Sequence, residues 1–124
     1  MLNATLGRMR LGTAARTRSA AQGRPFAPQP GLHVQPMPDT LQSSVRVGHA
    51  GFVRTHPDYH RMRLVATILG GYFGSRLMAN IREDKGYTYG IGAHWVALKH
   101  AGYLHISTDV GNDFVRPTLA EIRK

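Results

Sequence analysis

Cysteine is absent from the 124 residues, so no disulfide or thiolate-bound metal can contribute, and the redox state of the compartment leaves no mark on the chain. Long apolar runs are missing as well. Nothing approaches the ~20 consecutive residues that cross a bilayer, and the start of the chain has no continuous apolar core of roughly 7 to 15 residues such as a secretory signal needs. The chain reads as soluble, with its compartment open. Acidic residues are missing from residues 1–38, which hold five arginines, whereas residues 39–124 hold eleven Lys and Arg against seven Asp and Glu. More than half of the net charge of +9 therefore lies in the first third. Such a balance raises nucleic acid as a partner, but the basic residues of the second part are scattered and their excess is only +4. That distribution argues against a nucleic-acid partner.

What is present divides near residue 40. Residues 1–39 mix Ala, Gly, Ser, Thr, Arg and Gln and then turn proline-rich at Pro25, Pro28, Pro30, Pro36 and Pro38. This composition cannot bury enough apolar surface to offset chain entropy, and it reads as a flexible basic linker or tail. An Arg-rich, acid-free start also resembles an organelle transit peptide, a reading that the proline tract disfavours.

From Thr40 the pattern becomes that of a folded α+β layer. Gln42 to Gly48 alternates Val45 and Val47 with polar neighbours, as a half-buried strand does. Thr55-His56-Pro57-Asp58 resembles a helix start, with Thr55 or His56 at the cap and proline near the first helical position. Met62, Val65, Ala66 and Leu69 follow at helical spacing, widened by Leu64 and Ile68, which predicts a well-buried helix ended by Gly70-Gly71. Ser75 is placed to cap a second helix with Leu77, Met78 and Ile81 inward, and Gly86 is placed to stop it in a left-handed conformation. The run Tyr87 to Leu98 then alternates, setting Tyr87, Tyr89, Ile91, Ala93, Trp95 and Ala97 on one face. The run Tyr103 to Val110 alternates likewise, so an antiparallel hairpin is expected. Asp113 is expected to cap a last helix carrying Val115, Leu119 and Ile122. The order strand, two helices, hairpin, helix implies a mainly antiparallel sheet with helices packed on one face.

No self-sufficient active site is visible. His56 and His60 are four apart, as zinc-binding histidines on a helix can be, but positions 57 and 59 are Pro and Tyr, so the glutamate that would activate water is missing. Proline also biases His56 away from helical geometry. His94 and His105 could face each other across the hairpin, without a third donor. The glycine-rich turn Gly70 to Gly74 lacks the Lys-Ser/Thr of a phosphate loop. Arg82 and Tyr89 differ from these groups. Arg82 falls late on the second helix and Tyr89 early in the next strand, so a tight turn at Gly86 can aim a guanidinium and a phenol at one point. Neither is a proton shuttle near neutral pH, but both are donors, suited to holding a peptide carbonyl or a developing oxyanion. On chemistry alone, a solvated Arg82 and a core-packed Tyr89 remain the alternative.

The residues Leu69-Gly70-Gly71, Ser75-Arg76-Leu77 and Asn80-Ile81-Arg82-Glu83-Asp84-Lys85-Gly86-Tyr87-Thr88-Tyr89 resemble the C-terminal, non-zinc-binding domain of the pitrilysin/insulinase family of zinc metallopeptidases, the inverzincins. Gln42 to Gly48 and His56 to Tyr59 extend the likeness over residues 40–124. The resemblance implies a clam-shell peptidase whose other domain carries H-x-x-E-H and the zinc, and in which an arginine and a tyrosine seven residues apart bind peptide and stabilise the tetrahedral intermediate. It places those roles on Arg82 and Tyr89, with Gly70, Gly71, Ser75 and Gly86 supporting the same cavity. No H-x-x-E-H occurs in this sequence. The chain is thus expected to be the first half of the C-terminal domain, truncated at its end, and inactive alone. Its expected partners are a catalytic H-x-x-E-H domain or subunit, with its zinc, and a peptide substrate. A structural or subunit-docking protein without proteolytic role is the alternative. Truncation would leave Val115, Leu119 and Ile122 short of packing partners, so marginal stability or self-association is expected.

Overall fold

Three strands of ten residues carry the fold, β1 (Gln42–Gly51), β2 (Thr88–Ala97) and β3 (Gly102–Gly111). In this computed structural model residues 29–124 are described; the linker and transit-like readings of residues 1–28 lie outside the described residues. The strands form one antiparallel sheet in the order β1-β3-β2. The hairpin between β2 and β3 closes tightly, with the Leu98 N–H donating to the Ala101 carbonyl at 2.7 Å. Among the described residues, three helical elements lie in the connection from β1 to β2. They are α1 (Tyr59–Ala66), a π-helical continuation Thr67–Gly71, and a second π-helical segment Met78–Asp84. A 3₁₀ turn, Asn112–Phe114, leads into the last helix, α2 (Val115–Ile122).

Register explains the core. Val47 and Ala93 both pair with Ile106, and Val45 and Ile91 both pair with Thr108. One face of the sheet is therefore apolar across all three strands, because side chains two residues apart share a face. Leu77, Met78 and Ile81 close over it, with Ile91, Ala93 and Ile106 beneath and Ile122 packed at the edge. Ile81 is fully buried, a contribution of roughly 1.5–3 kcal/mol for a side chain of this size. The glycine pair after α1 allows the close approach. A Cβ on Gly70 would collide with the backbone nitrogen of Ala93, so only glycine lets this segment seat against β2.

The α+β layer and the inward Leu77, Met78 and Ile81 are as the pattern predicts. Several local expectations are not. The predicted well-buried first helix buries only Ala66, with Met62 and Leu69 half-buried, whereas Leu64, Val65 and Ile68 are more than half exposed. At 100° per residue, Leu64 and Ile68 point away from the face shared by Met62, Ala66 and Leu69. They therefore leave the stripe rather than widen it. Neither Thr55 nor His56 caps α1. The residue before the helix is Asp58, whose side chain makes no capping bond, and the His56 Nδ1 instead accepts the Asp58 N–H at 3.2 Å. Ser75 begins the second helix only through its carbonyl, which accepts the Ala79 N–H at 2.9 Å, because its hydroxyl is buried without a partner among the described residues.

Asp113 makes no cap on α2. The neighbouring Asn112 has the structural role, accepting from the Ser43 hydroxyl at 2.8 Å and donating to the Thr40 carbonyl at 2.7 Å. It ties the end of β3 to the start of β1.

Candidate functional site

The second π-helical segment ends on Gly86, which has φ +67°. This left-handed conformation costs an L-residue roughly 1–2 kcal/mol. Around it the Gly86 N–H donates to the Arg82 carbonyl at 3.1 Å and the Tyr87 N–H to the Ile81 carbonyl at 3.0 Å, so the carbonyls of the last turn are satisfied as the chain reverses. The reversal carries the chain from Arg82 straight into β2.

A groove of about 540 Å³ opens there. Arg82, Glu83 and Gly86 line it from the helix side, Tyr87, Thr88 and Tyr89 from the strand, and Asp109 and Phe114 from the end of β3 and the turn beyond. Arg82 is about one-third exposed; its guanidinium lies 4.4 Å above the Phe73 ring and 3.8 Å from the Glu83 carboxylate. The aromatic face and the carboxylate steer the guanidinium from two sides, each weakly. Tyr87 and Phe114 stack with ring centroids 5.0 Å apart and form an apolar wall. Asp109 accepts from the Ser44 hydroxyl at 2.6 Å and faces Arg46 at 3.5 Å. The Ser44 hydrogen bond, aided by the Arg46 charge and opposed by partial desolvation, holds its carboxyl below the usual aspartate range.

Tyr89 does not share a face with Trp95, as simple alternation requires. Thr88 pairs with Val110 and Ile91 with Thr108, so β2 advances three residues where β3 advances two. This β-bulge shifts the phase, puts Thr88 on the side of Ile91, and turns Tyr89 out of the core to 93% exposure. Tyr89 thus comes to line the groove, with its side chain in solvent, by an irregularity in the strand.

Of the residues singled out from the sequence, Arg82, Tyr89 and Gly86 line one groove. Gly70, Gly71 and Ser75 do not line it. Gly70 seats the helix end on β2, and Ser75 is fully buried. The glycine-rich turn does contribute Phe73, which the sequence pattern gave no reason to separate from its neighbours. Asp109 and Phe114 were missed because the pairing of Thr88 with Val110, invisible in a single strand, and the 3₁₀ turn beyond β3 bring them beside Thr88 and Tyr87.

The histidines are arranged otherwise. His56 stacks on Phe52 at 4.0 Å, His60 meets Tyr59 edge-on, and His94 pairs with His105 across the hairpin. Among the described residues no three His, Asp or Glu side chains come together. With H-x-x-E-H also missing from the sequence, the donors among the described residues do not fit a zinc site.

A family model described as the peptidase M16 inactive domain matches residues 16–124. The chain belongs to that family. The M16 match takes in much of the arginine- and proline-rich stretch ahead of Thr40 as well as the sheet. An uncharacterized zinc protease, YmxG, from Bacillus subtilis (strain 168) is 26% identical over 93 residues, covering 69% of this chain and 23% of that protein. The crystal structure of a peptidase M16 inactive domain from Pseudomonas fluorescens superposes with a TM-score of 0.64 at 32% identity, covering 66% of this chain and 20% of that one. The chain spans between a fifth and a quarter of the length of these relatives. It is a non-catalytic, C-terminal-type M16 domain of the zinc protease family, and the α+β layer is the M16 fold.

Proposed function

We propose that this M16 domain binds an extended peptide in the groove between Arg82 and Tyr89, for cleavage by a catalytic H-x-x-E-H domain or subunit that closes over it. The observation that supports this reading is that both donor residues, one from each side of the Gly86 reversal, line the same groove. Arg82 keeps guanidinium N–H groups available beside Phe73, and Tyr89 presents its phenol O–H to solvent. Both suit a peptide carbonyl oxygen. Such donors hold the oxygen in the ground state and bind it more tightly as negative charge builds on it during attack by a group that this chain does not supply.

The test is steady-state proteolysis by the assembled peptidase containing this chain. Arg82→Ala is expected to lower kcat/KM by about 10²-fold, the scale of one oxyanion donor, and Tyr89→Phe by a similar or smaller factor. Unchanged kcat/KM in both variants overturns the reading. A second reading, docking on another subunit without a part in proteolysis, draws on the exposed Leu64 and Val65 of α1 and Ile68 of its π-helical continuation. It predicts that Leu64→Glu weakens assembly while Arg82→Ala leaves proteolysis intact.

A further inference from the structure

Thr88 and Thr108 make an arrangement that neither the core nor the groove lining requires. Thr88 sits at the start of the bulge opposite Val110, and Thr108, 4% exposed, lies two residues back along β3 opposite Ile91. The Thr88 hydroxyl lies 2.8 Å from the Asp109 carbonyl, 2.9 Å from the Gly90 carbonyl and 3.1 Å from the Gly90 N–H that donates to it. The Thr108 hydroxyl lies 2.8 Å from both the Thr88 hydroxyl and the Gly90 carbonyl. Two hydroxyls have only two protons to give. One assignment satisfies every group: Thr88 donates to Asp109 and accepts from Gly90, while Thr108 donates to the Gly90 carbonyl. Both polar groups of Gly90 are then held by threonine side chains in place of the ladder partner that the bulge removes.

We infer that Thr88 and Thr108 are positioning residues, a two-hydroxyl latch that fixes the Thr88-Tyr89-Gly90 bulge and so fixes the direction of the Tyr89 phenol. The Tyr89 side chain is almost fully exposed and makes no hydrogen bond to another described residue, so its aim comes from its backbone. That backbone is pinned on both sides, at Thr88 and at Gly90, and a side chain between two pinned residues loses less freedom when it closes on a ligand. The latch rests on the reading of Tyr89 as a peptide donor, but its geometry can be tested apart from that reading.

The experiment uses the full chain in four variants, Thr88→Val, Thr108→Val, Thr88→Ser and Tyr89→Phe. Two measurements are made: amide hydrogen exchange at Gly90, and affinity for a pool of fluorescein-labelled casein peptides. The expected result is that both valine variants exchange the Gly90 amide about tenfold faster or more, as local opening becomes easier, and bind the peptides about as weakly as Tyr89→Phe. That loss is about fivefold, the scale of one net hydrogen bond. Thr88→Ser keeps the hydroxyl and is expected to restore both properties. Thr88 is half-buried, so its valine variant reads out even if Thr108→Val, which alters a buried position, does not fold. Unchanged Gly90 exchange in Thr88→Val overturns the latch whatever the peptides do. Faster exchange with wild-type affinity, while Tyr89→Phe binds weakly, overturns its positioning role. Wild-type affinity in Tyr89→Phe instead removes the peptide-donor reading, and the positioning role with it.

Discussion

Gly86 shows how much a single residue decides here. A Cβ added at Gly86 would meet nothing within 4 Å, so packing does not require glycine there. Its φ of +67° does. Gly86→Ala is therefore expected to destabilise the domain by about 1–2 kcal/mol through backbone strain alone, whereas Gly86→Asn, which tolerates the left-handed region, should cost clearly less. Thermal or urea unfolding of the two variants separates strain from collision, because a collision would penalise the larger asparagine more. The same residue couples fold to site, since any adjustment of the reversal moves Arg82 relative to Tyr89. Gly86 was legible in the sequence because helix, glycine and strand pattern meet there. The outward turn of Tyr89 was not, because a bulge is a relation between β2 and β3 and leaves the alternation of β2 alone unbroken on paper.

At the scale of elements, the helix that carries Arg82 is held at its far side by one polar contact. Asn80 Nδ2 donates to the Glu121 carboxylate at 2.9 Å, joining the Met78–Asp84 segment to α2, and Glu121 also accepts from Lys124 at 2.7 Å. The Asn80 hydrogen bond, then that of Lys124, hold the Glu121 carboxyl below its ordinary range. A folded-state pKa below the unfolded value means that the unfolded chain binds more protons in this window. The stabilisation is complete above the ordinary glutamate pKa, and it is lost as pH falls through the depressed one. Asn80→Ala should therefore lower the midpoint of thermal unfolding at neutral pH, and the gap to wild type should shrink below about pH 4. A gap that stays constant from pH 7 to pH 3 would show that the asparagine acts by packing. The helices themselves were legible from their apolar spacing. Their π-helical winding was not, as it depends on bonds such as Lys85 N–H to the Asn80 carbonyl at 3.1 Å, which no side-chain pattern records.

For the whole molecule, the question is where apolar surface is left over. The sequence places the unpartnered side chains on the last helix, at Val115, Leu119 and Ile122. In the structure those three are half-buried, Ile122 against the core, whereas Leu64 and Val65 of α1 and Ile68 of its π-helical continuation are exposed. The periodicity was right that α1 is apolar on more than one side; which side meets the sheet depends on how the helix is rotated by the Gly70 contact with β2. Leu64, Val65 and Ile68 sit one turn or less apart with 61%, 52% and 55% of their surface exposed, a contiguous patch of the kind that soluble monomers rarely leave uncovered. The chain in isolation is therefore expected to self-associate through α1. Sedimentation velocity over a range of concentrations should show reversible association that Leu64→Glu with Ile68→Lys abolishes, while Leu119→Glu on α2 leaves association in place and instead lowers stability. Because Leu64 and Ile68 contribute little to the core, the double variant should unfold within about 1 kcal/mol of the parent chain. Association that survives the α1 substitutions and disappears with Leu119→Glu in a folded protein would return the sticky surface to the last helix.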